Sequence, residues 1–225
     1  MGKIGKHNDL FVIVVIFLVA LFFEYRETFS LIEDETLSYR QLLRTYNADA
    51  NLTSPADDIV IVYTDEEFYE EYDKYPLRRV DLSTILIRLK EMGASVIAVD
   101  MLLDFKSAYG EDPSLEGAFI EAGNALLVSQ AQFENEEFVG VNYAIDRFSK
   151  HTSNGYSNIS SNSAVSQSIV RLRVYPEIAK SGQWPFAVEA VSQHLGVEPE
   201  LAGRNLTIGD IEFPLDPFND LYIDY

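Results

Sequence analysis

Two apolar runs, each followed by an aspartate and separated by one amphipathic segment, constrain this chain more than any other feature. The first, Ile59 to Tyr63, is rich in β-branched side chains and leads to Asp65; the second, Ser95 to Val99, ends at Asp100. A short continuous apolar run predicts a strand buried on both faces, as parallel sheets require. Between the two, Leu82, Ile85, Leu86, Leu89 and Met92 recur at helical spacing, and Gly93 stands where a left-handed residue closes a helix. Strand, helix and strand in this order predict a βαβ unit with a right-handed crossover. Asp65 and Asp100 are then expected at the carboxyl ends of neighbouring parallel strands. Open α/β sheets bind their ligands at that edge.

The remaining chain continues the alternation. Asp112-Pro113 marks a helix start, with Gly123 as its stop, and Ala125–Ser129 and Phe138–Tyr143 read as further strands. From Phe148 to Ser168 serine and asparagine dominate, which predicts a long exposed loop. Ile169–Tyr175 alternates Val170, Leu172 and Val174 with Arg171 and Arg173, the pattern of a strand with one face in solvent. Trp184–Leu195 reads as an amphipathic helix, and Leu206–Phe213 as a hairpin turning at Gly209-Asp210. The expected fold class is α/β: a mostly parallel central sheet flanked by helices, with a C-terminal hairpin.

The N-terminus sets the environment. Leu10 to Phe23 holds no polar side chain, and Lys3 and Lys6 precede it. Fourteen helical residues rise about 21 Å, short of a bilayer core of about 30 Å, but the flanking residues extend the segment. The run ends in Phe22-Phe23-Glu24-Tyr25 without a small-residue cleavage site, so an uncleaved signal-anchor is expected rather than a signal peptide. The lysines keep the start cytoplasmic and place the rest of the chain outside the membrane. The expected organisation is a cytoplasmic N-terminus at 1–9, a transmembrane signal-anchor at 10–29, a stalk and connector at 30–58, and an extracytoplasmic domain at 59–225. A net charge of −19 argues against nucleic acid as a partner, and the absence of cysteine excludes disulfides and thiolate metal sites.

The sequence contains no phosphate-cradling glycine loop, no Gly-x-Ser-x-Gly elbow and no zinc helix motif. His7, His151 and His194 stand far apart. What chemistry remains lies at the expected sheet edge, where Asp65, Glu66, Glu67, Asp100 and Asp104 cluster. Such carboxylates suit a hard cation or a polar ligand, or simply cap loops and helix starts. Arg78 and Arg79 stand ready to neutralise them. With Arg79 at the centre, no tight metal site is expected, no cofactor is implied, and the candidate ligand-binding residues are Asp65, Arg79 and Asp100.

An apolar strand ending in aspartate, an aromatic-Pro-x-x-Arg element, a helix, and Gly-Ala-x-Val-Ile-Ala-Val-Asp follow one another here. This order resembles the type-2 CHASE domain, an extracytoplasmic sensory domain of bacterial cyclases and histidine kinases. The matching positions are Asp65, Pro76, Arg79, Gly93, Ala94 and Asp100, followed by the strand carrying Arg171 and the closing Phe213-Pro214-Leu215 with Tyr222–Tyr225. The family's tryptophans around the proline are here Tyr75 and Leu77, and its Asp-Gly turn before the arginine strand is here Gln167-Ser168. The resemblance implies a non-enzymatic sensor module of a bacterial transmembrane receptor, C-terminally incomplete relative to the family, with a cyclase, kinase or similar output expected downstream. It also implies the inner membrane as location, a small-molecule stimulus, and a homodimer formed through the stalk and membrane helices. The alternatives are an exported cation-assisted hydrolase using Asp65 and Asp100, or a structural dimerising ectodomain.

Overall fold

The computed structural model describes residues 5–25, 36, 39, 58–135, 137–158 and 171–222. The chain divides into two compact units, Met1–Asp57 with Ser161–Val170 and Ile223–Tyr225, and Asp58–Ser160 with Arg171–Tyr222. The first unit contributes helix α1, Gly5–Tyr25, whose described side chains from Leu10 to Phe23 are all exposed. Among the described residues no helix is long and apolar enough to cross a membrane. The uninterrupted apolar part of α1 is Leu10–Phe23, about 21 Å of helix rise. Most of the expected stalk, and residues 26–29 of the expected anchor, lie outside the described residues.

The second unit is a mixed α/β structure. In chain order its elements begin with α2 (Glu66–Tyr72), α3 (Arg79–Glu91), β1 (Ile97–Val99), α4 (Asp112–Ala122), β2 (Ala125–Glu134) and β3 (Glu137–Asn142). Next come α5 (Asp146–Ser149), β4 (Ser153–Tyr156), β5 (Arg171–Arg173), α6 (Pro176–Ala179) and β6 (Trp184–Pro185). The last are α7 (Phe186–Leu195), β7 (Pro199–Ala202), β8 (Asn205–Ile208), β9 (Ile211–Pro214) and β10 (Asp220–Tyr222). The central sheet runs β1-β2-β4-β6, parallel at every step, while β3 folds back antiparallel on the far half of β2. Two small antiparallel sheets, β10-β5 and β7-β8-β9, complete the unit.

The helices form where the sequence places their stops. α3 is followed by Gly93 at φ +91° and α4 closes on Gly123 at φ +69°, a left-handed conformation that costs glycine nothing. Leu82 and Leu86 of α3 and Leu115 and Phe119 of α4 pack with Ile97, Val99, Ala125 and Leu127 into the main core. The alternate residues Leu126 and Val128 are buried as well, as expected for a central parallel strand covered on both sides. A second core joins Val174, Trp184, Val188, Leu206, Ile208 and Leu215. The hairpin expected at Leu206–Phe213 is β8–β9, turning at Gly209-Asp210.

Four sequence expectations are corrected. Ile59–Tyr63 is not a buried strand: it pairs with no strand among the described residues, and its side chains are 58–80% exposed. An apolar pattern states that a run favours cover but not which surface supplies it. The βαβ unit therefore starts one strand later, at β1-α4-β2. The segment after Tyr63 forms α2, capped by Asp65 and opened by Glu66 and Glu67, whose charges suit a helix N-terminus.

The polar stretch from Phe148 is not all loop either. Phe148 is fully buried and Ser153–Tyr156 is a strand between β2 and β6; residues 159–168 fall outside the description. Finally, the arginines of β5 do not face solvent, since Arg171 is buried on the carboxylate of Asp220.

Gly155 explains why so polar a segment enters the sheet. A Cβ there would stand 2.6 Å from Phe186 Cα and 3.0 Å from its backbone N, so only glycine lets α7 start against β4. Gly155→Ala must push a helix off the sheet and should cost about 1–3 kcal/mol in urea denaturation. Unchanged stability would show that α7 is not seated on β4.

Candidate functional site

The carboxyl edge of the sheet is built on two adjacent arginines meeting two adjacent acids. Arg78 precedes α3 in extended conformation and offers no side-chain cap. The cap comes from across the fold: Glu111 Oε2 accepts the Arg79 backbone N–H at 3.0 Å, while Glu111 Oε1 accepts Arg78 Nε–H at 2.6 Å. The Arg78 guanidinium lies 4.0 Å from the centre of the Tyr109 ring. Its hydrogen bond is the main reason the Glu111 carboxyl sits below the usual carboxylate range, helped by its charge and the amides of Arg79 and Val80.

Arg79 goes inward. Its guanidinium is buried, donates to Asp112 and to the Phe105 carbonyl, and stands 5.2 and 5.3 Å from the Phe105 and Phe148 rings. Asp112 also accepts the Ser107 N–H at 3.0 Å, and Ser83 Oγ donates to the Arg79 carbonyl at 2.6 Å. One side chain thus ties together the start of α3, the 105–111 loop and the start of α4.

α2 is held to the same edge through Tyr72, whose hydroxyl donates to Asp81 and accepts the Arg78 N–H at 3.2 Å. Burial, and then the bond to Asp81, push that phenol above its ordinary range.

The structure does not gather the three sequence-selected residues around one point. Asp65 is the N-cap of α2 and accepts the Phe68 N–H at 2.8 Å, with its side chain exposed. Asp100 is exposed and makes no hydrogen bond among the described residues. Arg79 bonds neither of them; its acid is Asp112. No group of histidine, aspartate or glutamate side chains is assembled as a metal would require, among the described residues.

A second buried ionic cluster was not legible. Arg173 embraces Asp220 with Nε and a terminal nitrogen at 2.7 and 2.8 Å, and Arg171 reaches the same carboxylate at 2.9 Å. Asp220 is fully buried, and Asp216 positions it by accepting its N–H at 2.8 Å. Tyr156 donates to the Arg173 carbonyl at 3.3 Å and accepts the Tyr175 N–H at 3.2 Å; burial raises its phenol far above the ordinary range.

The sequence did carry a signal for the first cluster. Arg78-Arg79 and Glu111-Asp112 pair in order, 33 residues apart, across two consecutive helix starts. For Asp220 the signal was weaker, since the acid lies 47 residues beyond Arg173.

A family model described as the CHASE2 domain matches residues 11–225. The chain belongs to the CHASE2 domain family. Comparison with curated proteins and with solved structures returned no match. CHASE2 domains are extracellular sensory domains, which supports a sensor module here. The sequence positions that resembled the family divide by role in this CHASE2 domain: Arg79 and Arg171 are buried in ionic clusters, Gly93 follows α3, and Asp100 stands exposed after β1.

The depressed Glu111 carboxyl has a direct consequence. Its folded pKa lies below the ordinary value of 4.5, so the stability it contributes is complete above that pH and is lost as pH falls through the folded value. Against Glu111→Gln, the wild-type melting temperature should be higher by a constant margin above about pH 5.5, shrinking as the pH drops below about 4.5. A margin that stays constant down to pH 2 would contradict this pairing.

Proposed function

We propose that this CHASE2 domain is the membrane-anchored extracytoplasmic sensor module of a bacterial signalling receptor, without catalysis of its own. The family match over residues 11–225 carries the reading. Helix α1 supplies the anchor: an apolar helix with every described side chain from Leu10 to Phe23 exposed favours hydrocarbon around it. Tyr25 and the flanking residues complete the span, with Lys3 and Lys6 on the cytoplasmic side. The boundaries proposed are those of the sequence: 1–9 cytoplasmic, 10–29 in the membrane, 30–58 stalk and connector, and 59–225 sensory domain.

The stimulus, a small molecule, is read at the carboxyl edge. Asp65 and Asp100 offer it exposed carboxylates, and Arg79 is the positioning residue that holds the loop behind them. Coupling requires a ligand that favours one arrangement of the edge over another. Two copies meeting through stalk and membrane helices pass that difference to an output domain downstream.

An alkaline-phosphatase fusion at Tyr225 should be active and should sediment with membranes. In the same membranes, heated against a metabolite library, at least one compound should raise the domain's melting temperature, and Asp100→Ala should abolish the rise. An inactive or freely soluble fusion would overturn the placement; no response to any compound would overturn the sensor reading.

A further inference from the structure

The strongest mismatch between chain and surface is Ile59–Tyr63, five apolar residues outside any helix or strand with 58–80% of their surface exposed. Among the described residues the central sheet leaves one edge open. β1 is its edge strand, and Ile97 N–H bonds the Asn124 carbonyl on the β2 side. In a parallel ladder alternate residues turn to opposite neighbours, so the N–H and C=O of Ala98 point outward. No strand covers them among the described residues, and Ala98 is exposed.

Between α2 and α3, the helix that leads into β1, lies an apolar groove of about 370 Å³, lined chiefly by Phe68, Tyr72, Leu77, Ile85 and Leu89. Ile85 and Leu89 lie on the flank of α3 next to the Leu82–Leu86 stripe that enters the core.

The connectivity brings the run to this place with the right polarity. α4 follows β1 and precedes the parallel β2, so its N-terminus marks the carboxyl end of the strands. Arg79 pairs there with Asp112, which puts the start of α3 at that end, and Tyr72 holds α2 beside it. Ile59–Tyr63 leads straight into α2 through Thr64, whose hydroxyl reaches the Tyr69 hydroxyl, and the cap Asp65. A strand arriving at the carboxyl end and followed by helices that return to β1 runs parallel to β1.

We propose that Ile59–Tyr63 is a detachable edge strand of this same chain. It docks parallel to the outer side of β1 and covers the groove between α2 and α3 with its apolar side chains. Docking pairs the Ala98 N–H and C=O and removes both an open sheet edge and an exposed apolar run, each of which favours aggregation when left uncovered. The chain's own segment is the occupant because two residues tether it to α2, giving it an effective concentration that a second molecule does not match. This inference goes beyond the sensor reading and holds whether or not the domain binds a ligand.

The chain has no cysteine, which makes the test clean. In the full chain, Ala98→Cys is combined in turn with Val60→Cys, Ile61→Cys and Val62→Cys, and each pair is oxidised. Neighbouring residues of adjacent strands lie within disulfide reach. At least one pair should give an intrachain disulfide in most molecules, seen as a linked peptide by mass spectrometry. In the wild-type chain the Val60–Val62 amides should exchange with deuterium at least tenfold more slowly than an unstructured strand would. Disulfides only between chains would assign the edge to a second copy and overturn the proposal. So would free thiols in all three pairs, or unprotected amides.

Discussion

The fold of the second unit depends on one buried ion pair, Arg79 with Asp112. A guanidinium removed from water carries a desolvation cost of several kcal/mol, which is repaid only if geometry and further hydrogen bonds are good. Here they are. Asp112 takes one side of the guanidinium, the Phe105 carbonyl another, and the rings of Phe105 and Phe148 stand over it at 5.2 and 5.3 Å. The pair fixes the starts of α3 and α4 against each other, and those helices are the lid of the main core. Glu111 and Arg78 repeat the arrangement one residue earlier at the surface, where screening makes such a pair worth less.

The clamp leaves two exposed aspartates out. By engaging its own carboxylate, Arg79 is unavailable to Asp65 or Asp100, and both remain exposed. What Arg79 holds instead is the start of α3, the 105–111 loop and the start of α4, through ionic and aromatic contacts. The β5–β10 sheet is likewise held by an internal ionic cluster, with Asp220 buried between Arg171 and Arg173.

What the sequence conveyed well was local. Helix periodicity with a glycine stop located α3, an Asp-Pro start with a glycine stop located α4, and continuous apolar runs located β1 and the first half of β2, because these signals are local to each element. What it conveyed poorly was long-range. The polar Ser153–Tyr156 strand belongs in the sheet because Gly155 admits Phe186, a contact made 31 residues away that no local pattern announces. Arg171 and Arg173 alternate with apolar residues like a solvent face, but a distant aspartate converts that face into an ionic core. The candidate site shows the same division: the residue types at the edge were legible, but the partners were not. Arg79 was expected among Asp65 and Asp100 and is found on Asp112, whose local pattern marks only a helix start.

The central claim is that Arg79 and Asp112 act as one unit within the core, and a double-mutant cycle tests it most directly. Asp112→Ala leaves a buried guanidinium without its carboxylate and should destabilise the domain by about 3–5 kcal/mol in chemical denaturation. Arg79→Met with Asp112→Ala removes both charges and fills the space with an apolar chain. The double variant should be more stable than Asp112→Ala alone, with a coupling between the sites of at least about 1.5 kcal/mol. Additive losses within about 0.5 kcal/mol would show that the two residues do not depend on each other, and would contradict the account.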